Sequence, residues 1–360
     1  MDHHPASSIA MNISQVENLF HSSAYYMQLT HILNYCTGIM IGVYGFSVVA
    51  NAIVIFVFFK DGFRSTSNIS FFALGITDVL VGTIWTLFNV RIHPYLERPF
   101  YFIPPDVDIW KYIVLCADAL ASVGSWITAI ITWERLCCIA FPLKVKRIFT
   151  RKLIICLILG GLTYEVLALT FYFTADYLLQ QGVVEQVRFY EIDGRRFNKT
   201  VAVTIGQDLL VFARISLTYI PNYVLYSAIV LGTGLLIKVF LQSIETKQAL
   251  TGLQGPTGMS TKEKKLVKSV LAICLVYLIT CTPRNVYQTI LIFTDEWAFP
   301  SIGRFVLQCT VDILLSFNQA LNIFVYLLVN SSFRNQVGKL LGLSWFGDPQ
   351  SQGSEINRMK

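Results

Sequence analysis

Charge is what this sequence has least of. Only 14% of its 360 residues are Asp, Glu, Lys or Arg, against roughly 25% in soluble globular domains. A water-soluble chain this long could bury a large core but would still need a charged skin, and with 54% of its residues hydrophobic it cannot supply one. That scarcity excludes a soluble enzyme and a disordered chain. Zinc-ligand spacing is lacking too. The eight cysteines (Cys36, Cys116, Cys137, Cys138, Cys156, Cys274, Cys281, Cys309) all fall inside apolar runs. Adjacent Cys137 and Cys138 suit neither a bridge nor a tetrahedral site. The cysteines read as small buried hydrophobes, which excludes a disulfide-stapled module. No nucleophile motif or phosphate loop occurs, and only His31 reaches the edge of an apolar run, so no enzymatic function is expected. The first 30 residues carry no Lys, no Arg and no apolar stretch, which does not describe a cleaved signal peptide. Repeats and low-complexity tracts are absent, and the chain reads as one domain.

What is present is a series of long apolar runs. A bilayer core of about 30 Å needs roughly 20 apolar residues in helix. Seven such runs occur, near 33–59, 69–90, 109–141, 153–174, 209–241, 266–293 and 305–329. The net charge of +6 comes from basic residues clustered between the runs, not along an amphipathic face, so no nucleic-acid partner is expected. The connections on one side (60–68, 142–152, 242–265, 331–360) carry 15 Lys and Arg, and those on the other side 7. The positive-inside rule then places the amino terminus outside and the carboxyl terminus in the cytoplasm. The expected organisation is a tail over 1–32, a seven-helix domain over 33–330, a short helix over 331–341 and a cytoplasmic tail over 342–360.

Local signals refine this. The sequons at Asn12 and Asn198 would lie on the glycosylated side, whereas those at Asn68 and Asn330 would not and read as chance matches. Val183–Ile192 and Arg195–Thr204 flank Asp193-Gly194, a hairpin turn signal, so the second outer connection is expected to form two strands. In Ser331–Leu341, Phe333, Val337, Leu340 and Leu341 recur at helical spacing with Arg334 and Lys339 between them, which suits a helix lying along the membrane surface.

The spans also carry short motifs. The third ends Trp133-Glu134-Arg135-Leu136, followed by Phe141-Pro142-Leu143. The first span has Asn51, the second Leu74-Gly75-Ile76-Thr77-Asp78, the fifth Pro221 and the sixth Pro283. The seventh ends Asn322-Ile323-Phe324-Val325-Tyr326, and Phe333-Arg334 follows. With these six features in order, each in its own span, the chain resembles rhodopsin-like G-protein-coupled receptors over about residues 33–341, and Glu134-Arg135-Leu136 is similar to that family's Asp/Glu-Arg-Tyr motif. The phrasing Glu134 to Lys146 looks like molluscan-type chemosensory and orphan receptors, with invertebrate neuropeptide receptors as near neighbours. Some family features are missing. Trp110 stands where the third helix usually has a Cys, 175–208 holds no Cys, Cys281 replaces the Trp before Pro283, and Ile229 stands where a Tyr is usual.

The resemblance implies roles. Arg135 would pair with Glu263 in a lock between the third and sixth helices, with Glu134, Pro283, Asn322 and Tyr326 completing the activation switch; the alternative is a merely solvated Glu263 among lysines. Asp78, an acid at mid-membrane depth, would form a polar cluster with Asn51, Asn318 and Asn322, either holding a sodium ion or acting as plain polar packing. No other cofactor is implied. Arg135, Pro142, Leu143, Lys264 and Lys265 would meet a heterotrimeric G protein.

The outer halves of the spans hold Asp118, Arg214, Arg284 and Asp312, with Gln288 and Gln308 nearby; Trp85, Tyr219 and Tyr287 are lesser candidates. Intramembrane charge is a ligand-site hypothesis by default. The arginines could take a carboxylate or phosphate bidentately, and the alternative is internal Arg–Asp pairing. Seventh-span Ser316 stands where an opsin needs Lys. Ala117 stands where an amine receptor needs Asp, with Asp118 turned about 100° away. The expectation is therefore an all-α seven-helix plasma-membrane receptor for an extracellular chemosensory cue, small and polar or acidic. A neuropeptide receptor of the same fold is the alternative, and a channel or transporter the alternative of another class.

Overall fold

Each apolar run becomes a helix, because a segment that meets no water must satisfy its backbone N–H and C=O groups internally. The computed structural model describes residues 13–63, 65–93, 107–180, 188–192, 195–199, 220–250, 261–293, 301–329 and 331–342. Its long helices are Ile13–Asp61, Thr66–Ile92, Val107–Ala140, Arg151–Gln180, Ile220–Leu250, Thr261–Phe293 and Ser301–Val329. Among the described residues, seven helices are long and apolar enough to cross a membrane, from Thr30–Asp61 to Val306–Leu328. They form an all-α bundle of seven spans. Below, the end of the bundle where the first span begins is the N side, and the end where the seventh finishes is the C side.

Several boundaries move. The first helix starts at Ile13, well before the apolar run, since extending an existing helix is far easier than nucleating one. The sixth starts at Thr261 for the same reason. A helix over Pro142–Ile148, absent from the sequence expectations, follows the third span; Pro142 occupies its first turn, where a missing N–H costs nothing. Ser331–Leu341 is a helix as expected, but its apolar residues divide. Phe333 and Val337 are buried in the bundle, while Leu340 and Leu341 face outward.

The reversal between the first two spans is locally encoded. Gly62 takes φ +76°, a left-handed conformation suited to glycine, and its N–H donates to the Phe59 carbonyl at 3.1 Å. Ser65 then caps the second span by accepting from the Asn68 N–H at 3.2 Å. On the far side, β1 (Arg188–Ile192) and β2 (Arg195–Lys199) pair antiparallel, with Ile192 opposite Arg195 and Arg188 opposite Lys199. These strands lie within the expected hairpin, whose positions 183–187 and 200–204 are outside the described residues.

The third span is the hub, packing against the second, fourth, fifth and sixth, while the first packs on the second and seventh. Close approach needs small residues: a Cβ on Gly75 would stand 3.1 Å from Ile55. At the C side, Phe58, Phe71, Tyr326 and Phe333 form one aromatic cluster with ring centroids 5.1–5.7 Å apart. Each such pair contributes about 0.5–1.5 kcal/mol beyond its buried area. The opposite faces of the helices expose Val49, Phe59, Leu167, Leu231, Ile279 and Leu328, an apolar girdle that water would not tolerate and a bilayer does.

Candidate functional site

Polar side chains inside this bundle must find one another, and they do so at three levels. Toward the N side, Arg284 of the sixth span donates from Nη2 to Oδ1 of Asp118 on the third at 3.2 Å. Gln308 donates to Asp312 one helical turn along the seventh span at 2.8 Å. The geometry thus brings Asp118 and Arg284 together as an internal ion pair, the alternative that competed with direct ligand contact. Gln288 keeps a buried Oε1 that meets no hydrogen-bond donor among the described residues. Arg214 and Tyr219 lie outside the described residues.

A narrow cavity of about 50 Å³ links this level to the middle of the bundle. Arg284, Asn285, Trp85 and Tyr44 line it with Ser125, Asn318, Asp78 and Asn322. That volume holds a few water molecules, at roughly 10–15 Å³ of such space each. At mid-depth, Asn322 of the seventh span donates to Asp78 Oδ2 at 2.9 Å. Asn51 does not join Asp78 directly. Its amide donates to the Ser47 carbonyl and hydroxyl and to the Gln319 carbonyl, at 3.0–3.1 Å. It therefore ties the first span to the seventh one turn away from the acid. Asp78, Ser125 and Asn318, from the second, third and seventh spans, all line this cavity, and carboxylate, hydroxyl and amide oxygens are hard donors of the kind an alkali cation takes.

Toward the C side, Glu134 and Arg135 are buried, and Arg135 Nη2 meets Glu134 Oε1 at 3.3 Å. The same oxygen accepts the Thr66 hydroxyl of the second span. Arg135 Nε and Glu134 Oε2 have no hydrogen-bond partner among the described residues. The side chains of Pro142, Leu143, Glu263, Lys264 and Lys265 lie outside the described ones, as do Asn12 and the side chain of Asn198. The pairing of Arg135 with Glu263 therefore stays an expectation.

Sequence reasoning singled out Cys281 and Pro283 but missed Trp126, Tyr223, Tyr226 and Glu165. Cys281 is buried with Ala129, Leu225, Ile229 and Tyr277, and Trp126 of the third span packs against that cluster. Pro283 lies inside the sixth helix. Tyrosines of the fifth span strap the helix around it: Tyr226 to Thr282 at 2.6 Å and Tyr223 to Thr289 at 2.7 Å. Glu165 of the fourth span, buried and bonded to the Ser122 hydroxyl, was legible by the rule that singled out Asp78: an acid inside an apolar run. No protein-family model and no curated protein matches this chain.

Proposed function

We propose that the chain is a rhodopsin-like receptor of the plasma membrane that converts an extracellular ligand, a small polar or acidic chemosensory cue, into activation of a heterotrimeric G protein. The observation that carries this reading is the polar cavity running from Arg284 to the Asp78–Asn322 pair. One end presents a cation, the other a mid-membrane acid, and the cavity touches the second, third, sixth and seventh spans.

The mechanism follows from exchange of partners. A ligand carboxylate or phosphate would take the Arg284 guanidinium bidentately and draw it from Asp118. Arg284 directly follows Pro283, where the helix lacks one backbone hydrogen bond, so force at the guanidinium acts on the weakest point of the sixth span. The Tyr226–Thr282 strap resists that motion. At the opposite end, outward movement of the sixth span would expose Arg135, whose unpartnered Nε is available to a new acceptor. The ligand thus biases a two-state element by binding one state better. Asp78, Asn318 and Ser125 would hold a sodium ion in the resting state, adding a fixed charge that neutralises the buried acid. A short peptide with a free terminal carboxylate presents the same chemistry to Arg284.

The test is second-messenger signalling without ligand, in cells carrying wild type, Glu263→Ala and Arg135→Ala at matched surface levels. Glu263→Ala is expected to raise basal signalling, and Arg135→Ala added to it to abolish the rise. Silence of all three across a panel of chimeric G proteins, together with an ionic current in patch clamp, would overturn the reading in favour of a channel.

A further inference from the structure

The first and seventh spans pack side by side, and two contacts fix their register. The Asn51 amide donates to the Gln319 carbonyl at 3.1 Å, and Phe46 stacks on Phe324 with ring centroids 5.8 Å apart. Cys36 lies ten residues before Phe46 and fifteen before Asn51, while Cys309 lies ten before Gln319 and fifteen before Phe324. Ten residues turn a helix by about −80° and fifteen by about +60°. Each cysteine therefore falls in the sector between its own span's two contact positions. Each also stands about 19 Å along its helix from the middle of those contacts, at one level toward the N side. Phase and height thus aim the two thiols at each other. The side chains do meet: Cys309 is hydrogen-bonded to Cys36 across the interface.

Both are free thiols here, and their surroundings differ. Cys309 is only 6% exposed, whereas Cys36 is half-buried, so a reagent at the rim of the bundle reaches Cys36 first. Cys36 is six residues into Thr30–Asp61 and Cys309 three into Val306–Leu328, about 9 and 5 Å along the helix axis. The basic-residue asymmetry assigns that side to the exterior, where disulfides form and persist.

We propose that Cys36 and Cys309 form a reversible disulfide that staples the first span to the seventh. The oxidant is a small disulfide, RSSR. The Cys36 thiol loses its proton and its sulfur attacks RSSR, breaking that S–S bond; the thiolate released takes the proton and leaves as RSH. The mixed disulfide on Cys36 stands against Cys309, whose deprotonated sulfur displaces the second thiolate, which takes that proton in turn. Two cysteine thiols are oxidised and one RSSR is reduced to two RSH. The bond links positions far apart in the chain, so it removes much freedom from the unfolded state. It also pins the turn of the seventh span in which Gln308 donates to Asp312 at 2.8 Å. The staple does not depend on the receptor reading.

The experiment uses the purified full chain in lipid nanodiscs, equilibrated with 2-hydroxyethyl disulfide or with 2-mercaptoethanol, blocked with N-ethylmaleimide and digested without reduction. Mass spectrometry is expected to find the Cys36 and Cys309 peptides joined after oxidation. After reduction they are separate and each carries maleimide. The melting temperature is expected to rise by about 5 °C or more on oxidation and to fall back on reduction. Cys36→Ala and Cys309→Ala each remove the rise, and Cys156→Ala, exposed on the fourth span, keeps it. Should a variant not fold, the peptide map of the wild type still decides. Separate peptides after oxidation, Cys36 joined to a different cysteine, or a rise that survives in Cys309→Ala overturns the proposal.

Discussion

Arg284 and Asp118 join the sixth span to the third through a 3.2 Å contact between Nη2 and Oδ1, and the same guanidinium lines the central cavity. The two side chains are 17% and 23% exposed, so water reaches them in part. Breaking a fully buried pair costs about 3–5 kcal/mol; screening at this exposure reduces that to about 2 kcal/mol. Asp118→Ala and Arg284→Ala should each lower the melting temperature of the solubilised protein by several degrees. The double variant should be more stable than the sum of the two losses, because neither charge is then left alone. Strict additivity in that cycle would mean that the contact carries no coupling.

The Asp78–Asn322 pair makes a separate prediction about sodium. A cation that binds only the folded chain stabilises it by RT ln(1 + [L]/Kd), about 1.4 kcal/mol at ten times Kd. Replacing potassium by sodium at constant ionic strength should therefore raise the melting temperature of wild type and leave Asp78→Asn unmoved. An identical response of both would place the salt effect elsewhere.

At the C side, Glu134 holds Arg135 while also accepting the Thr66 hydroxyl. Glu134→Gln removes the charge but keeps an acceptor oxygen, weakening the hold by about 1–1.5 kcal/mol. On the receptor reading this shifts the resting equilibrium about ten-fold toward the active state. Basal second-messenger output should rise, and Thr66→Ala should raise it less. A fall in Glu134→Gln at matched surface level would mean that the acid acts in signalling and not in restraint.

Sidedness has a direct chemical readout. Asn198 lies in β2, on the side that the basic-residue asymmetry assigns to the exterior, and Asn12 shares that side. Asn198→Gln and Asn12→Gln should each remove one glycosidase-sensitive step in gel mobility. Asn68, whose amide donates to the Gly62 carbonyl at 3.1 Å, should carry no glycan, and Asn68→Gln should leave mobility unchanged. A glycan at Asn68 would invert the topology.

The sequence by itself determined the seven helices, their order and the short helix Ser331–Leu341, because backbone satisfaction in an apolar stretch is a local requirement that length and composition report directly. It also exposed the acids and arginines that needed partners. Only the tertiary structure decided who the partners are. Arg284 meets Asp118 and not Asp312; Asn51 meets the Gln319 carbonyl and not Asp78; Trp126 packs against the Cys281 cluster while its indole donates to the fourth span. Each outcome depends on the rotation and height of one helix relative to its neighbour. A residue step turns a side chain by about 100° and raises it about 1.5 Å, so small differences in phase exchange one partner for another.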